Sequence, residues 1–352
     1  MGVYEKLREK IDSSIPIPTP ATKNRVEIEI LRRLMTPEEA EIASHLSGQP
    51  EPAAAIAEHV GMAVNELRPL LEKLVKKGVI FKAYTAEPLY SLATMMPGIY
   101  EFQVGRLTPD MVRLFEKYYM EGHGEAVLSN KTAFTRVLPV NKSITPQMNV
   151  YTYEEVERII DGASAVTLAT CICRSNKNLI GEGCDGPVED ACILLDSWAD
   201  YYAENGLGRR VSKEEGKKAL KRAEEAGLVH NSLNVQDGSL FICNCCGCCC
   251  ALLRGITQLE LPTAVAKSNF IAKVSEENCT GCGTCEERCQ IHAISIVDSL
   301  GTIDEARCIG CGVCVSGCPA NAVFMKKRET ETLLPQNLNE LMMKIAEGRV
   351  SS

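Results

Sequence analysis

The sequence contains no apolar stretch approaching the ~18 residues of a membrane span. Met1 to Lys10 is charged and helical in pattern, without the apolar core of a secretory leader. With neither feature, the chain is expected to be cytoplasmic and to lack a membrane span, in a compartment that keeps thiols reduced. An excess of basic residues is missing too: the net charge is -8, which argues against non-specific nucleic-acid binding. No G-x-G-x-x-G follows a strand-like run and no G-x-x-x-x-G-K-[ST] loop occurs, so dinucleotide and P-loop sites have no signature. A flavin, which needs no signature, stays open.

What the chain has is cysteine, 18 in 352 residues. Eight fall in two runs, Cys279-Thr-Gly-Cys282-Gly-Thr-Cys285-Glu-Glu-Arg-Cys289 and Cys308-Ile-Gly-Cys311-Gly-Val-Cys314-Val-Ser-Gly-Cys318-Pro319, both spaced C-x2-C-x2-C-x3-C. A 4Fe-4S cube takes four thiolates, and three so close in sequence let one loop wrap three of its corners. The fourth cysteine of each run is displaced toward the next helix, where in a paired arrangement it reaches the other cluster. The expected sets are Cys279, Cys282, Cys285 and Cys318 for one cluster, and Cys308, Cys311, Cys314 and Cys289 for the other. Zinc sites instead close with two C-x2-C pairs across a longer spacer, and two repeated four-cysteine runs with Gly283 and Gly312 in their loops do not match that.

Residues 267–327 resemble the bacterial-type two-cluster 4Fe-4S ferredoxins in both motifs. The resemblance implies single-electron transfer through two 4Fe-4S clusters, with an oxidoreductase as the redox partner. One departure is Gln290, which stands where that family usually has proline. The substitution loosens the first loop or frees a backbone amide, and it leaves the ligand set intact.

Ten cysteines remain, in Cys171-Ile-Cys173-Arg174, at Cys184 and Cys192, and in Cys243-Asn-Cys245-Cys246-Gly-Cys248-Cys249-Cys250. Six within eight residues cannot all be core, so a metal or cluster site is expected. The ligands expected are Cys171, Cys173, Cys184, Cys192, Cys243, Cys245, Cys246 and Cys249, with Cys248 and Cys250 last in preference. Thiolate sites accept zinc, Cu(I) or iron-sulfur clusters. A chain already loaded with two clusters favours at least one more iron-sulfur cluster, with zinc as the alternative. The middle region also resembles anaerobe iron-sulfur proteins that pair C-x-C-R with N-C-C-x-C-C ahead of a two-cluster ferredoxin, a resemblance that implies no particular reaction. Arg174 is placed to offset thiolate charge or hold an anion, or else forms a surface ion pair. His230 reads as a structural histidine before a ligand or proton donor, and Trp198, Tyr201 and Tyr202, at helical spacing, read as core.

The rest of the chain organises around this. A helix at Tyr4 to Ile11 and a proline-rich connector fill residues 1–24. Thr36-Pro37-Glu38-Glu39 opens a helix with a capping box. Helices at Pro52 to His59 and Val64 to Lys77, the latter with Leu67, Leu70, Leu71 and Leu74 on one face, precede a hairpin of residues 78–81 and 88–92. Three helices and a hairpin resemble the winged-helix fold, over residues 25–95. Arg68, Lys73, Lys76 and Lys77 could meet phosphates, but Glu66 and Glu72 share that helix, so structural or partner docking is the expectation and nucleic acid is not. Further helices are expected at Thr108 to Tyr119, at Tyr153 to Asp161 entered through Tyr151-Thr-Tyr, and after Ser212. A strand over residues 165–170 delivers the chain to Cys171, and Leu338 to Ile345 forms a last helix whose Leu341, Met342 and Ile345 pack on the body.

The fold expected is α+β and multidomain: a winged-helix-like module, a cysteine-rich middle domain (96–262), a ferredoxin-like domain (263–330) and a terminal segment (331–352). Three functions fit: an electron carrier or redox subunit, a reductase with an open iron-sulfur site in the middle domain, and a redox-sensing regulator acting through the winged helix.

Overall fold

In the computed structural model, which describes residues 2–140, 143, 155–331 and 333–350, short helices come first and sheets later. Helix Val3–Ser14 buries Leu7 and Ile11. The proline-rich stretch after it is a packed strap: Ile17 and Thr19 are buried, and the Thr19 amide donates to Asp12 (2.7 Å). Tyr118 Oη holds its far end by donating to the Pro20 carbonyl (3.1 Å). Helix Val26–Leu34 follows, unforeseen because Glu27 falls on its buried side. The Thr22 amide and hydroxyl satisfy that carboxylate at 3.1 and 2.7 Å, so a charge is hidden within an apolar face.

The capping box forms as its residues require. Thr36 caps helix Pro37–Ser44, accepting from the Glu39 amide while Glu39 accepts from the Thr36 amide (2.9 Å). Lys73 and Lys77, from helix Val64–Lys76, reach the same buried carboxylate at 2.9 and 2.6 Å. Burial pushes the Glu39 pKa up, but the hydrogen bonds from Lys77 and Lys73 outweigh it and hold the carboxyl at about 2. Two of the four cations that could have met phosphates are thus paired with a carboxylate of their own module. Strands β1 (Glu51–Pro52), β2 (Ile80–Ala83) and β3 (Leu89–Leu92) form an antiparallel sheet in the order β1-β3-β2, and helices Ala53–Val60 and Val64–Lys76 lie between β1 and β2 in the chain. Leu67, Leu71 and Leu74 are buried as expected, while Leu70 is at the margin and Val75 completes the face.

The middle of the molecule is a six-stranded sheet of β4 (Thr135–Leu138), β5 (Val166–Ala169), β6 (Cys192–Leu195), β7 (Arg209–Val211), β8 (Val229–Leu233) and β9 (Phe241–Cys245). The order is β4-β8-β9-β6-β5-β7 and every pairing is antiparallel. Its central strands are buried on both faces, and the polar residues among them, such as His230 and Asn244, are buried with the apolar ones. Ile193, Leu195 and Ile242 pack with Leu220 of helix Lys213–Glu225 and Ile160 of helix Val156–Gly162. Leu194, Phe241 and Cys245 point the other way into the main core. The Tyr151-Thr-Tyr entry expected before helix Val156–Gly162 lies outside the described residues.

In the C-terminal region β10 (Phe270–Val274) pairs with β13 (Val323–Lys327), and β11 (Ile294–Val297) with β12 (Leu300–Ile303). Helix Leu338–Val350 buries Leu341 and Ile345, with Met342 half-buried. Arg349 reaches Asp12 Oδ1 at 2.9 Å, tying this helix to the first one. Among the described residues no helix is long and apolar enough to cross a membrane.

Replacing Glu39 by Gln removes the charge that three donors share. The expected loss is about 1–2 kcal/mol, below the range for a buried charged hydrogen bond because both lysines are partly solvated. Denaturant unfolding followed by circular dichroism checks this, and an unchanged midpoint would show the triad to be ornamental.

Candidate metal centres

The C-terminal cysteines gather as the spacing requires. Cys279, Cys282, Cys285 and Cys318 line one small cavity, three from the first run and one from the end of the second. Cys289 lies near Cys308, Cys311 and Cys314; burial first, and then the charge of the neighbouring thiolates, raises the pKa of Cys289, Cys311 and Cys314. Gly310 makes this loop possible: its φ is +75°, and a Cβ there would strike the Phe270 carbonyl. Amides approach the sulfurs in matching fashion, Ala293 to Cys289 at 3.1 Å and Ala322 to Cys318 at 3.3 Å, four residues after the last cysteine of each run. Such N–H donors disperse thiolate charge and tune the potential of a bound cluster. The two sets differ in access: Cys282 is exposed, whereas Cys308 and Cys314 are buried.

The ten middle cysteines divide into two groups. Cys184, Cys246, Cys248 and Cys249 bring their sulfurs within 4.8 Å of one another. Cys184 lies 3.8 Å from both Cys246 and Cys249, and Cys248 lies 3.6 Å from Cys249. A tetrahedral ion with metal–sulfur bonds of ~2.3 Å has sulfur–sulfur edges of about 3.8 Å. The spacing therefore fits one tetrahedral ion. A 4Fe-4S cube, which binds each thiolate on a different iron, holds them further apart. Cys248, placed last in preference, lies in the tetrahedron, on the turn after β9. Cys171, Cys173, Cys192, Cys243 and Cys245, expected as ligands together with Cys184, line another cavity, to which the strand and the two helix starts carry them.

Arg174 is almost fully buried, so it is no surface ion pair. Its Nε donates to the Pro187 carbonyl (2.8 Å) and its Nη1 to the Asn244 carbonyl (3.0 Å), and Nη1 lies 3.7 Å from Cys246 Sγ. A hydrogen bond from Cys249 and then the Arg174 guanidinium, against the effect of burial, hold the Cys246 thiol well below its ordinary pKa. One thiolate is thus ready for a cation at neutral pH. His230 is structural: Nδ1 donates to Asn244 Oδ1 (2.6 Å) across the β8–β9 ladder, and burial lowers its pKa to about 4, which keeps it neutral. Tyr201 and Tyr202 are core, and Trp198 packs at a tilt against Phe241 with centroids 5.8 Å apart.

Gln290 has a role its sequence context does not disclose. Its Oε1 accepts from the Gly247 amide (3.0 Å) and its Nε2 donates to the Gly227 carbonyl (3.0 Å). A Cβ on Gly247 would collide with the Gln290 carbonyl. The residue after Cys289 thus docks on the glycine between Cys246 and Cys248. Arg288 reinforces the seam by donating to the carbonyls of Glu224 (3.2 Å) and Glu225 (3.4 Å) at the C-terminus of helix Lys213–Glu225.

Replacing Arg174 by Met would leave two carbonyls without their donor and Cys246 without its cation. Removing such an outer partner of a metal ligand typically costs 10–100-fold in affinity. The expected result is a loss of that size in zinc retention against a chelator. Equal retention would separate Arg174 from the centre.

Comparison with known families finds a 4Fe-4S dicluster domain at residues 278–323. No curated protein and no solved structure matches the chain. The chain therefore carries a 4Fe-4S dicluster domain near its C-terminus, and with it the capacity for two 4Fe-4S clusters.

Proposed function

We propose that the protein is an iron-sulfur electron carrier or redox subunit, with clusters bound by Cys279, Cys282, Cys285 and Cys318 and by Cys308, Cys311, Cys314 and Cys289. The observation that carries this is the dicluster domain at 278–323, within which the first of these sets shares a single cavity. The tetrahedron of Cys184, Cys246, Cys248 and Cys249 is a closed four-thiolate site, which suits structural zinc. Zinc has no redox chemistry, so this ion fastens the loop on which Gln290 docks and does not relay electrons.

Electrons enter at the cluster beside exposed Cys282 and pass to the buried one, whose Cys289 adjoins the seam with the middle sheet. Glu276, Glu277, Glu286 and Glu287 are all exposed around Cys282 in the sequence, which favours a redox partner with a basic docking face. The strand and helix order β1, two helices, β2, β3 supports a winged-helix-like module over 25–95. Three of its cations are engaged within the module, Lys73 and Lys77 on Glu39 and Lys82 on Glu72 (2.7 Å), while Arg68 and Lys76 are exposed. This favours a docking or structural element, the regulator reading losing two of its four phosphate contacts.

The test is stopped-flow reduction of anaerobically purified protein by two small donors of opposite charge. Reduction by the methyl viologen radical cation should slow as salt rises, while reduction by anionic dithionite should quicken. EPR of the reduced state should show interacting 4Fe-4S clusters that disappear in a Cys282→Ala/Cys311→Ala variant. A reduced protein without those signals would sink the carrier reading, and rates indifferent to salt would remove the acidic docking face.

A further inference from the structure

The six middle cysteines outside the tetrahedron all line one other cavity, an apolar chamber against the inner face of the central sheet. Cys192 on β6 stands directly opposite Cys243 on β9, and Cys245, two residues on, shares that face. Cys171 follows the exit of β5 and caps helix Ile172–Leu179, in which Cys173 lies; Cys250 caps helix Ala251–Thr257. Unlike the tetrahedron, no three of them lie within 4.8 Å of one another among the described residues. They form a wall, and a wall grips a polynuclear core better than a single ion.

Two further observations point to an occupant. An ordinary core closes over its cysteines without leaving space, yet here a cavity of about 120 Å³ remains. That is a little under the ~150 Å³ of an apolar hole that takes up benzene, so it suits one compact group and is too small for the three fused rings of a flavin. His123 also lines it, is only 2% exposed, and has no hydrogen-bond partner for either ring nitrogen. Leaving such a group unsatisfied costs ~1–3 kcal/mol, which a polar occupant would recover.

We propose that this chamber holds a third iron-sulfur centre, a 4Fe-4S core bound by four thiolates drawn from Cys171, Cys173, Cys192, Cys243, Cys245 and Cys250, with His123 donating a hydrogen bond to it. The six thiols exceed the four a cube requires. The centre is separate from the zinc tetrahedron, although Cys245 and Cys246 are adjacent, because the chain turns at the end of β9 and sends the two side chains to different cavities. It goes beyond the carrier reading and stands or falls apart from it.

The experiment is anaerobic reconstitution of the full chain with iron and sulfide, followed by iron, labile-sulfide and zinc counts per chain and EPR. Three 4Fe-4S clusters predict about twelve iron and twelve sulfide in the unaltered chain, beside about one zinc. The quadruple variant Cys171→Ala/Cys192→Ala/Cys243→Ala/Cys250→Ala leaves two thiols in the chamber, too few to hold a cube, and should fall to about eight iron with the zinc kept, the retained metals showing that it is folded. About eight iron in the unaltered chain, or twelve retained in the quadruple variant, overturns the proposal. Should the quadruple variant lose all its metal, a His123→Ala variant decides: a shifted third EPR signal at unchanged iron supports the proposal, and an unshifted one overturns it. The carrier reading is judged separately, by the signals lost in Cys282→Ala/Cys311→Ala.

Discussion

The pairing of β9 with β6 and β8 is the constraint on which the cysteine-rich middle depends. An antiparallel ladder fixes which residues share a face, and a slip of one residue would exchange the faces. In the observed register Cys192 sits across from Cys243, and Ile193 across from Ile242. Thiols therefore collect on the chamber side while isoleucines fill the core beneath helices Val156–Gly162 and Lys213–Glu225. The same ladder sets Asn244 beside His230, so that a neutral imidazole and an amide occupy the inner strands without a buried charge.

Charge is the second constraint. Thiolates crowded together repel, and burial makes each one costlier. The fold answers with one buried guanidinium from the helix that carries Cys173, anchored on two backbone carbonyls beside Cys246. Arginine suits this post because it stays ionised when buried and offers donors in several directions, whereas lysine could shed its proton. In the C-terminal region backbone amides approach Cys279, Cys289 and Cys318, while Arg328 donates to the Cys308 carbonyl (2.8 Å). One chain thus uses two means of steadying sulfur, positive charge and peptide dipoles.

The sequence was most legible where chemistry is local. Both four-cysteine runs, the capping box at Thr36 and the strand leading to Cys171 are short-range patterns, and each has its counterpart in the structure. Parity made the middle harder. Cys243 and Cys245 share a strand face, while Cys246, Cys248 and Cys249 ride the turn beyond it toward Cys184, so neighbours in sequence serve different cavities. Knowing that β9 ends at Cys245 would have separated them, but the cysteine composition hides that boundary. The partners of Arg174 lie up to 72 residues away and leave no local trace. Helix Val26–Leu34 was hidden by Glu27, whose charge reads as solvent-facing until Thr22 is seen to satisfy it.

The contact between Gly247 and Gln290 makes two distant positions answerable to each other. Glycine at 247 leaves room for the Gln290 carbonyl, and glutamine at 290 supplies an amide that both accepts from residue 247 and donates to Gly227. The proline usual at that place in two-cluster ferredoxins could do neither. A ferredoxin segment transplanted from elsewhere would then have its clusters and no seat. A change at either residue therefore costs the contact that seats the dicluster segment on the loop after β9.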